Sequence, residues 1–291
     1  MVTFGSGAGF LFNIFRKLMG KKKIPMILTL QEGDSETHLK YKWAGLIALS
    51  WKLALWQTDI LTGISNFLLN RANKNGYRGQ SSLIPNGVDL KIFSGQVKES
   101  ERNEIKNKLG KKDEEVFLVT SGRLTKKNAI DDIISSLVYL PEKISLIIIG
   151  KGEEGYNLQK QARDLKVSHR VKFVGFIPYA DIPIYLSICD IFIRPSRSEG
   201  FGNSFIEAMA VGLPVIATPV GGIPDFVQDR ETGLFVSPDS PQGIKGAVLA
   251  LLGDNSLKEH ITQKAKKMVF ERYSWDHIAP KMKAVFDRVL G

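Results

Sequence analysis

The chain has 291 residues, of which 43% are hydrophobic and 24% charged, a composition that indicates a folded protein and excludes a disordered one. Forty lysines and arginines against thirty acidic residues leave a net charge of +10. This excess favours an anionic partner, such as a phosphorylated metabolite, an anionic lipid headgroup or a nucleic acid. The single cysteine, Cys189, excludes an internal disulfide and a cysteine-built zinc site, and such usage suits the cytoplasm.

The opening residues combine a short apolar stretch with lysines and an arginine. The stretch is too short to span a bilayer, and its charges follow it, whereas those of a signal peptide precede it. Residues 10–23 fit an amphipathic helix on an anionic membrane, or equally a helix buried against the next strand. Together with Trp43, Trp51 and Trp56, this segment is compatible with a peripheral contact of the protein with the inner face of the membrane.

Residues 1–84 contain too few strand patterns for a complete Rossmann domain. They offer one clear strand at 24–30, a long apolar stretch and the turn-like IPNGVD, which amounts to two or three strands of about six. We therefore predict a partial N-terminal domain over this range.

Beyond residue 80, short apolar segments alternate with longer stretches of helical character. The strand-like segments are EVFLVTSGRL, SLIIIG, VKFVGF, CDIFIRPS, LPVIATP and TGLFVSP. Continuous apolar strands separated by helices predict a doubly wound parallel sheet, which binds its ligands at the carboxyl ends of the strands. A final amphipathic segment, 271–291, is predicted to close the domain as a helix.

Two strand ends carry residues suited to an anion. The segment CDIFIRPSRSEGFGNSFIEAMA runs from a strand through a glycine-punctuated turn into a helix, whose first N–H groups suit a pyrophosphate. In SGRLTKKN, Arg123 and a lysine at 126 or 127 follow another strand. Cations that converge there would neutralise a leaving diphosphate.

The same segment carries two acids, Glu199 and Glu207, eight residues apart. Carboxylates accept hydrogen bonds from ribose and sugar hydroxyls, so acids beside phosphate-binding cations match a nucleotide sugar better than a nucleic acid. The spacing alone allows Glu207 equally to be an acid that stabilises the helix dipole, and Glu199 to be a solvated loop residue.

From about Ser81 to its end, the chain resembles the donor-binding domain of glycosyltransferase family 4 (group 1), a retaining family with the GT-B fold. The resemblance rests on Glu199-GFGNSFI-Glu207, on AMAVGLPVIATPVGGIPDFV and on ETGLFV. IPNGVD resembles the interdomain hinge of that family, and SGRLTKKN its phosphate-binding turn.

The resemblance implies an α/β fold with one complete doubly wound, Rossmann-like donor domain at 85–270, the closing helix at 271–291 and a partial acceptor-side domain at 1–84. By the same resemblance Glu207 would hold the ribose, Glu199 would contact the transferred sugar, and Arg123 with Lys127 would hold the diphosphate. Further donor-binding residues would be Gly122, Gly200, Phe201, Gly202, Asn203 and Ser204.

The sequence departs from the family pattern in three places. Asn128 and Ala129 stand where many members have lysine and glycine, so Lys127 comes one position early. Gln31 stands where a histidine is frequent, and His38 is seven residues away. The first strand and the glycine-rich loop of the family's N-terminal portion are not found, and this favours an alternative in which transfer needs a partner chain.

Two glycine-containing pairs are open to a structural interpretation. The pair at 221–222 suits either a position near the donor or a tight turn that needs a positive φ. For Asn86 and Gly87 we favour a turn.

The implied function is transfer of a sugar from a nucleotide-diphosphate donor to an acceptor hydroxyl with retention, in the synthesis of cell-envelope polysaccharide or glycolipid. The donor phosphate itself would take the acceptor's proton, without a cofactor. The chain has no D-x-D motif, which agrees with a metal-independent enzyme.

The expected partners are the nucleotide sugar, a glycan or lipid-linked acceptor, and a partner chain or second copy. Nucleic acid is not expected, because the charge is scattered. The first alternative is a non-catalytic or partner-dependent module that binds a nucleotide sugar, and the second is a nucleotide-sugar epimerase.

Overall fold

The computed structural model describes residues 25–33, 46–56 and 58–290. The predicted amphipathic segment 10–23, His38 and Trp43 lie outside these residues. The described ranges contain nine strands: β1 Ile27–Leu30, β2 Ile60–Gly63, β3 Gln80–Leu83, β4 Val116–Ser121, β5 Ile144–Ile149, β6 Val171–Gly175, β7 Ile191–Arg194, β8 Val215–Ala217 and β9 Leu234–Phe235.

Helices connect these strands and follow the last of them. Those of the described residues are α1 Leu46–Trp56, α2 Asn66–Lys74, α3 Leu90–Phe93, α4 Glu99–Leu109, α5 Ile130–Ser136, α6 Gly155–Asp164, α7 Ile182–Leu186, α8 Asn203–Val211, α9 Pro241–Gly253, α10 Asn255–Arg272 and α11 Trp275–Leu290. None of them is long and apolar enough to cross a membrane.

Six parallel strands form the larger sheet, in the order β6-β5-β4-β7-β8-β9. Every residue of β5 is buried, as expected for a central strand that helices cover on both faces. All six strands predicted beyond residue 80 are present. Because the chain leaves β4 in one direction and β7 continues on its other side, the order reverses between these two strands, where doubly wound sheets bind ligands.

The smaller sheet has three parallel strands, in the order β1-β2-β3. Its central strand, β2, is buried along its whole length, whereas β3 forms a mostly exposed edge. The sequence predicts two or three strands here, and the described residues contain three.

The C-terminal helix α11 packs against the smaller sheet. Ile278 and Val285 of α11 form one buried cluster with Ile60 of β2 and Ile84 after β3. Val88 also pairs with Ser274 in an isolated parallel bridge. The predicted closing helix is therefore present and packs against the smaller sheet. The division at residues 84/85 and 270/271 stays a prediction.

Candidate functional site

A cleft of about 600 Å³ lies between the two sheets, at the carboxyl ends of their strands. Gln31, Ile64 and Asn86 line it from the side of the smaller sheet. The opposite wall comes from residues after β4 and β5, from the loop after β6, from the end of β7 and from the first turn of α8. The cleft thus occupies the position that the parallel topology predicts.

The first turn of α8 faces this cleft. Gly202 precedes the helix with φ +98°, a conformation that glycine adopts without steric cost, and no side chain caps the helix start. Gly202, Asn203 and Ser204 all line the cleft. The backbone N–H groups that begin a helix carry partial positive charge, so this turn suits an anion.

The loop between β7 and α8 is seated against the end of β1. A Cβ atom on Gly33 would lie 1.8 Å from the amide nitrogen of Gly200, so the two backbones meet at a distance that only glycine allows. The Ser198 hydroxyl donates a hydrogen bond to the Gly33 carbonyl. This contact fixes the acid-bearing loop relative to the smaller sheet.

The glycine pair at 221–222 packs against the backbone carbonyl groups of the same loop. Gly221 has φ +57°, and a Cβ atom on it would lie 1.7 Å from the Glu199 carbonyl oxygen. A Cβ atom on Gly222 would lie 2.2 Å from the carbonyl oxygen of Gly200. Neither glycine is among the residues that line the cleft, so the tight-turn interpretation describes their surroundings.

Glu199 lies at the cleft and is paired with Arg194. Its Oε2 accepts a 2.6 Å hydrogen bond from Nη2 of Arg194, and its Oε1 accepts a 3.0 Å bond from the Gly200 amide. The two side chains are only 11% and 12% exposed. Glu199 is therefore not a solvated loop acid.

Glu207 lines the same cleft from the second turn of α8. Burial raises the pKa of its carboxyl group to about 7, and the nearby charge of Arg194 opposes that rise. A carboxyl group with this pKa changes its capacity to accept hydrogen bonds near neutral pH.

The turn after β4 places only one of its two predicted basic residues, Arg123, at the cleft. Gly122 and the exposed Arg123 line the cleft, as predicted. Lys127 is half-buried in a short 3₁₀ turn, is not among the lining residues, and its carbonyl accepts a 2.7 Å hydrogen bond from the amide of Arg197. The structure does not bring Lys127 to the cleft wall, and its role as a diphosphate ligand stays a prediction.

The remaining predicted residues divide in two groups. Phe201, Gly202, Asn203 and Ser204 line the cleft, whereas Gly200 is buried against the end of β1. Phe201 is also 1% exposed and packs on Phe226, with ring centroids 5.1 Å apart, so its side chain belongs to the core.

The lining residues that were not predicted as site residues include Arg194, Lys151, Gln31 and Asn86. Asn86 donates a 3.0 Å hydrogen bond to the side chain of Asn203 and so links the loop after β3 to the start of α8. For Arg194 and Lys151 a signal was available, because each is a basic residue at the end of an apolar strand. For Asn86 we predicted only a turn, and this prediction gave no indication that its side chain contacts Asn203.

The described residues contain no group of three His, Cys, Asp or Glu side chains that could hold a metal ion. The residues present at the cleft are instead cations, two carboxylates and a helix N-terminus. Groups of these kinds are chemically suited to the phosphates and hydroxyls of a ligand.

The chain belongs to the family Glycosyl transferases group 1, whose model matches residues 101–268. It is 32% identical over 206 residues to an uncharacterized glycosyltransferase of Methanocaldococcus jannaschii, covering 70% of this chain and 53% of the relative. It is 29% identical over 236 residues to a GDP-mannose-dependent alpha-(1-6)-phosphatidylinositol monomannoside mannosyltransferase of Mycobacterium tuberculosis, covering 77% of this chain and 60% of the relative. The chain thus spans little more than half the length of these two relatives.

The structure resembles that of Anabaena HepE, crystallised in complex with UDP and glucose. The TM-score is 0.87 at 22% identity, and the match covers 97% of this chain and 76% of HepE. The similarity confirms the predicted α/β architecture of the GT-B type.

Proposed function

We propose that this chain binds a nucleotide-diphosphate sugar in the cleft and transfers the sugar to an acceptor hydroxyl with retention of configuration. The observation that carries the proposal is the placement of Glu199 and Glu207 beside Arg123 and the first turn of α8, all on one cleft. Cations and helix N–H groups bind phosphates, and carboxylates bind hydroxyls, so this set matches the two halves of such a donor.

In this proposal the diphosphate lies against the N–H groups of Asn203 and Ser204 and against Arg123. These groups stabilise the negative charge that grows on the diphosphate as it leaves, and a stabilisation specific to the transition state accelerates the reaction. Glu207 accepts hydrogen bonds from the ribose, and Glu199 from the sugar. HepE, which shares this fold, was crystallised with UDP and glucose.

The acceptor attacks from the face that the diphosphate leaves, and the donor phosphate takes the acceptor's proton. This course needs neither a protein nucleophile nor a cofactor, and we propose it as metal-independent. The name of the mycobacterial relative supports a lipid-linked acceptor and a role in the synthesis of cell-envelope glycans. Cytoplasmic placement with contact at the inner membrane face would suit such an acceptor.

The alternative is a nucleotide-sugar-binding module that transfers nothing without a partner chain. It is supported by the family model, whose match at residues 101–268 contains the proposed donor-binding residues but not the smaller sheet. Donor binding without transfer, restored by an added acceptor-side chain, would identify this case.

The direct test is calorimetric titration with UDP-, GDP- and ADP-sugars. We expect selective binding of one nucleotide, with at least a tenfold loss in Glu207→Ala and in Arg123→Ala, because each change removes a charged hydrogen-bonding group. Arg163, an exposed arginine on α6 outside the cleft, provides a matched control, and Arg163→Ala is expected to bind as the wild type does. A folded protein that binds none of the three would refute the proposal.

A further inference from the structure

Arg194 ends β7 with its guanidinium group inside the cleft wall. Its side chain is 11% exposed and lines the cleft. Nη2 donates to Glu199 Oε2 at 2.6 Å and to Asn128 Oδ1 at 2.8 Å, and Nη1 donates to the Ser204 hydroxyl at 2.8 Å. A buried cation therefore touches the acid-bearing loop, the turn after β4 and the first turn of α8 at once.

The guanidinium group is also close to the backbone where a phosphate would lie. A Cβ atom on Gly122 would be 3.5 Å from Nη1, so a side chain at that position would cover the guanidinium. A guanidinium has five N–H donors, and the contacts above use three. Among the described residues, the buried Nε–H has no hydrogen-bond partner. Because Nε is buried, the second Nη1–H is the donor that remains for a ligand at the junction of the turn and the helix start.

Asn128 explains how this arginine is oriented. It is buried, its side-chain nitrogen donates to the Arg123 carbonyl at 2.5 Å, and its oxygen accepts from Arg194. Asn128 is neutral, whereas many members of the family that the sequence resembles have a lysine at this position. The turn after β4 therefore carries one cleft-lining cation, Arg123, while the neighbouring strand end supplies Arg194.

We propose that Arg194 is the second diphosphate-binding cation of this chain, held in place by Asn128 and replacing a lysine at position 128. The inference rests on the proposed function, since it assigns a ligand to the phosphates of the same donor. The remaining Nη1–H of the guanidinium donates a charge-assisted hydrogen bond to a phosphate oxygen, and the pairing with Glu199 lowers the cost of keeping the charge buried. Arg194 then contacts both the phosphate and the acid proposed for the sugar.

The test uses free UDP, GDP and ADP, because a nucleotide without a sugar makes no contact that depends on Glu199 as a sugar ligand. We expect Arg194→Met to weaken the preferred nucleotide at least tenfold. Adding Asn128→Lys to that variant returns a cation to the turn and is expected to restore the affinity to within about threefold of the wild type.

Arg170→Met provides the matched control. Arg170 is another buried arginine, 4% exposed, whose guanidinium donates to backbone carbonyls away from the cleft, including that of Ile144 at 2.9 Å. Its removal is expected to lower the melting temperature without changing the dissociation constant. Wild-type affinity in Arg194→Met, or a loss that Asn128→Lys does not repair, would overturn the inference.

A second pair of variants covers the case in which Arg194→Met leaves Glu199 unpaired and does not fold. Glu199→Gln is compared with the double variant Glu199→Gln/Arg194→Met, in which no charge is left without a partner. We expect the double variant to bind the nucleotide at least tenfold more weakly, and equal affinities would contradict the inference. A wild-type protein that binds no nucleotide would instead refute the proposed function.

Discussion

At the scale of single residues, the site depends on carboxylates whose surroundings differ. Glu199 is paired with a cation at 2.6 Å, whereas the pKa of Glu207 is raised to about 7 by burial. The sequence spacing identified both acids but could not assign these environments, because Arg194, which influences both, was not recognised as a site residue.

The first prediction concerns the pH dependence of donor binding. If ionised Glu207 accepts the ribose hydroxyls, the affinity must rise with pH through its pKa of about 7. Between pH 5.5 and pH 8 we expect a gain of about tenfold in the association constant, measured with the preferred nucleotide sugar, whose phosphates do not titrate in this range. Glu207→Gln should bind weakly and show a flat profile. A wild-type profile as flat as that of the variant would disprove this role.

The same pKa shift fixes the sign of a stability change in the unliganded protein. The pKa rises from 4.5 to about 7 on folding, so the folded state holds the proton more tightly than the unfolded state. The contribution to stability is complete below pH 4.5 and is lost as the pH rises through about 7. Urea unfolding should show this loss in the wild type, and the Gln variant should lack it.

At the scale of elements, the six strands beyond residue 80 could be predicted because each is a continuous apolar run ended by polar or glycine residues. The turn after β4 could not be placed in detail. In the structure neither residue 127 nor residue 128 lines the cleft, and pattern matching does not resolve a one-residue shift in such a turn. Arg197, which is distant in the sequence, holds this turn through hydrogen bonds to the carbonyl groups of Lys126 and Lys127.

The second prediction tests this anchoring. Arg197 donates to both carboxylate oxygens of Asp131 at 2.9 Å and to Asp239 at 2.6 Å, while its amide binds the Lys127 carbonyl. Arg197→Gln is expected to cost about 1.5–3 kcal/mol of unfolding free energy, the range for hydrogen bonds to charged groups. Urea unfolding measures the loss, and hydrogen exchange should show faster opening at 126–128.

The control for this change is Arg163→Gln. Arg163 is exposed on α6, and its replacement is expected to stay within about 0.5 kcal/mol of the wild type. Equal unfolding free energies for the two variants would show that the Arg197 ion pairs contribute nothing measurable.

At the scale of the whole molecule, the C-terminal helix α11 packs against the smaller sheet, which is formed by residues from the front of the chain. The sequence predicted a terminal helix but not its partner, because the contacts join Ile278 to Ile60 and Ile84, which lie far away in the chain. The seating of Gly33 on Gly200 is equally non-local, and no local pattern marks either glycine as the other's neighbour.

The third prediction tests that closure. Ile278 is 2% exposed and packs with Ile60 of β2 and Ile84 after β3, so Ile278→Ala should cost about 2–5 kcal/mol through lost burial and a cavity. Leu290, 79% exposed on the same helix, provides the control, and Leu290→Ala should change stability by less than about 0.5 kcal/mol. Similar unfolding free energies for both variants would mean that α11 does not stabilise the smaller sheet.

The central claim is that the cleft holds the diphosphate of a nucleotide sugar. A crystal structure of the protein with the nucleotide that calorimetry selects tests this most directly. We predict phosphate oxygens within hydrogen-bond distance of the Asn203 or Ser204 amides and of Arg123, with the ribose at Glu207. A nucleotide bound outside this cleft, or in it with its phosphates turned away from α8, would contradict the account.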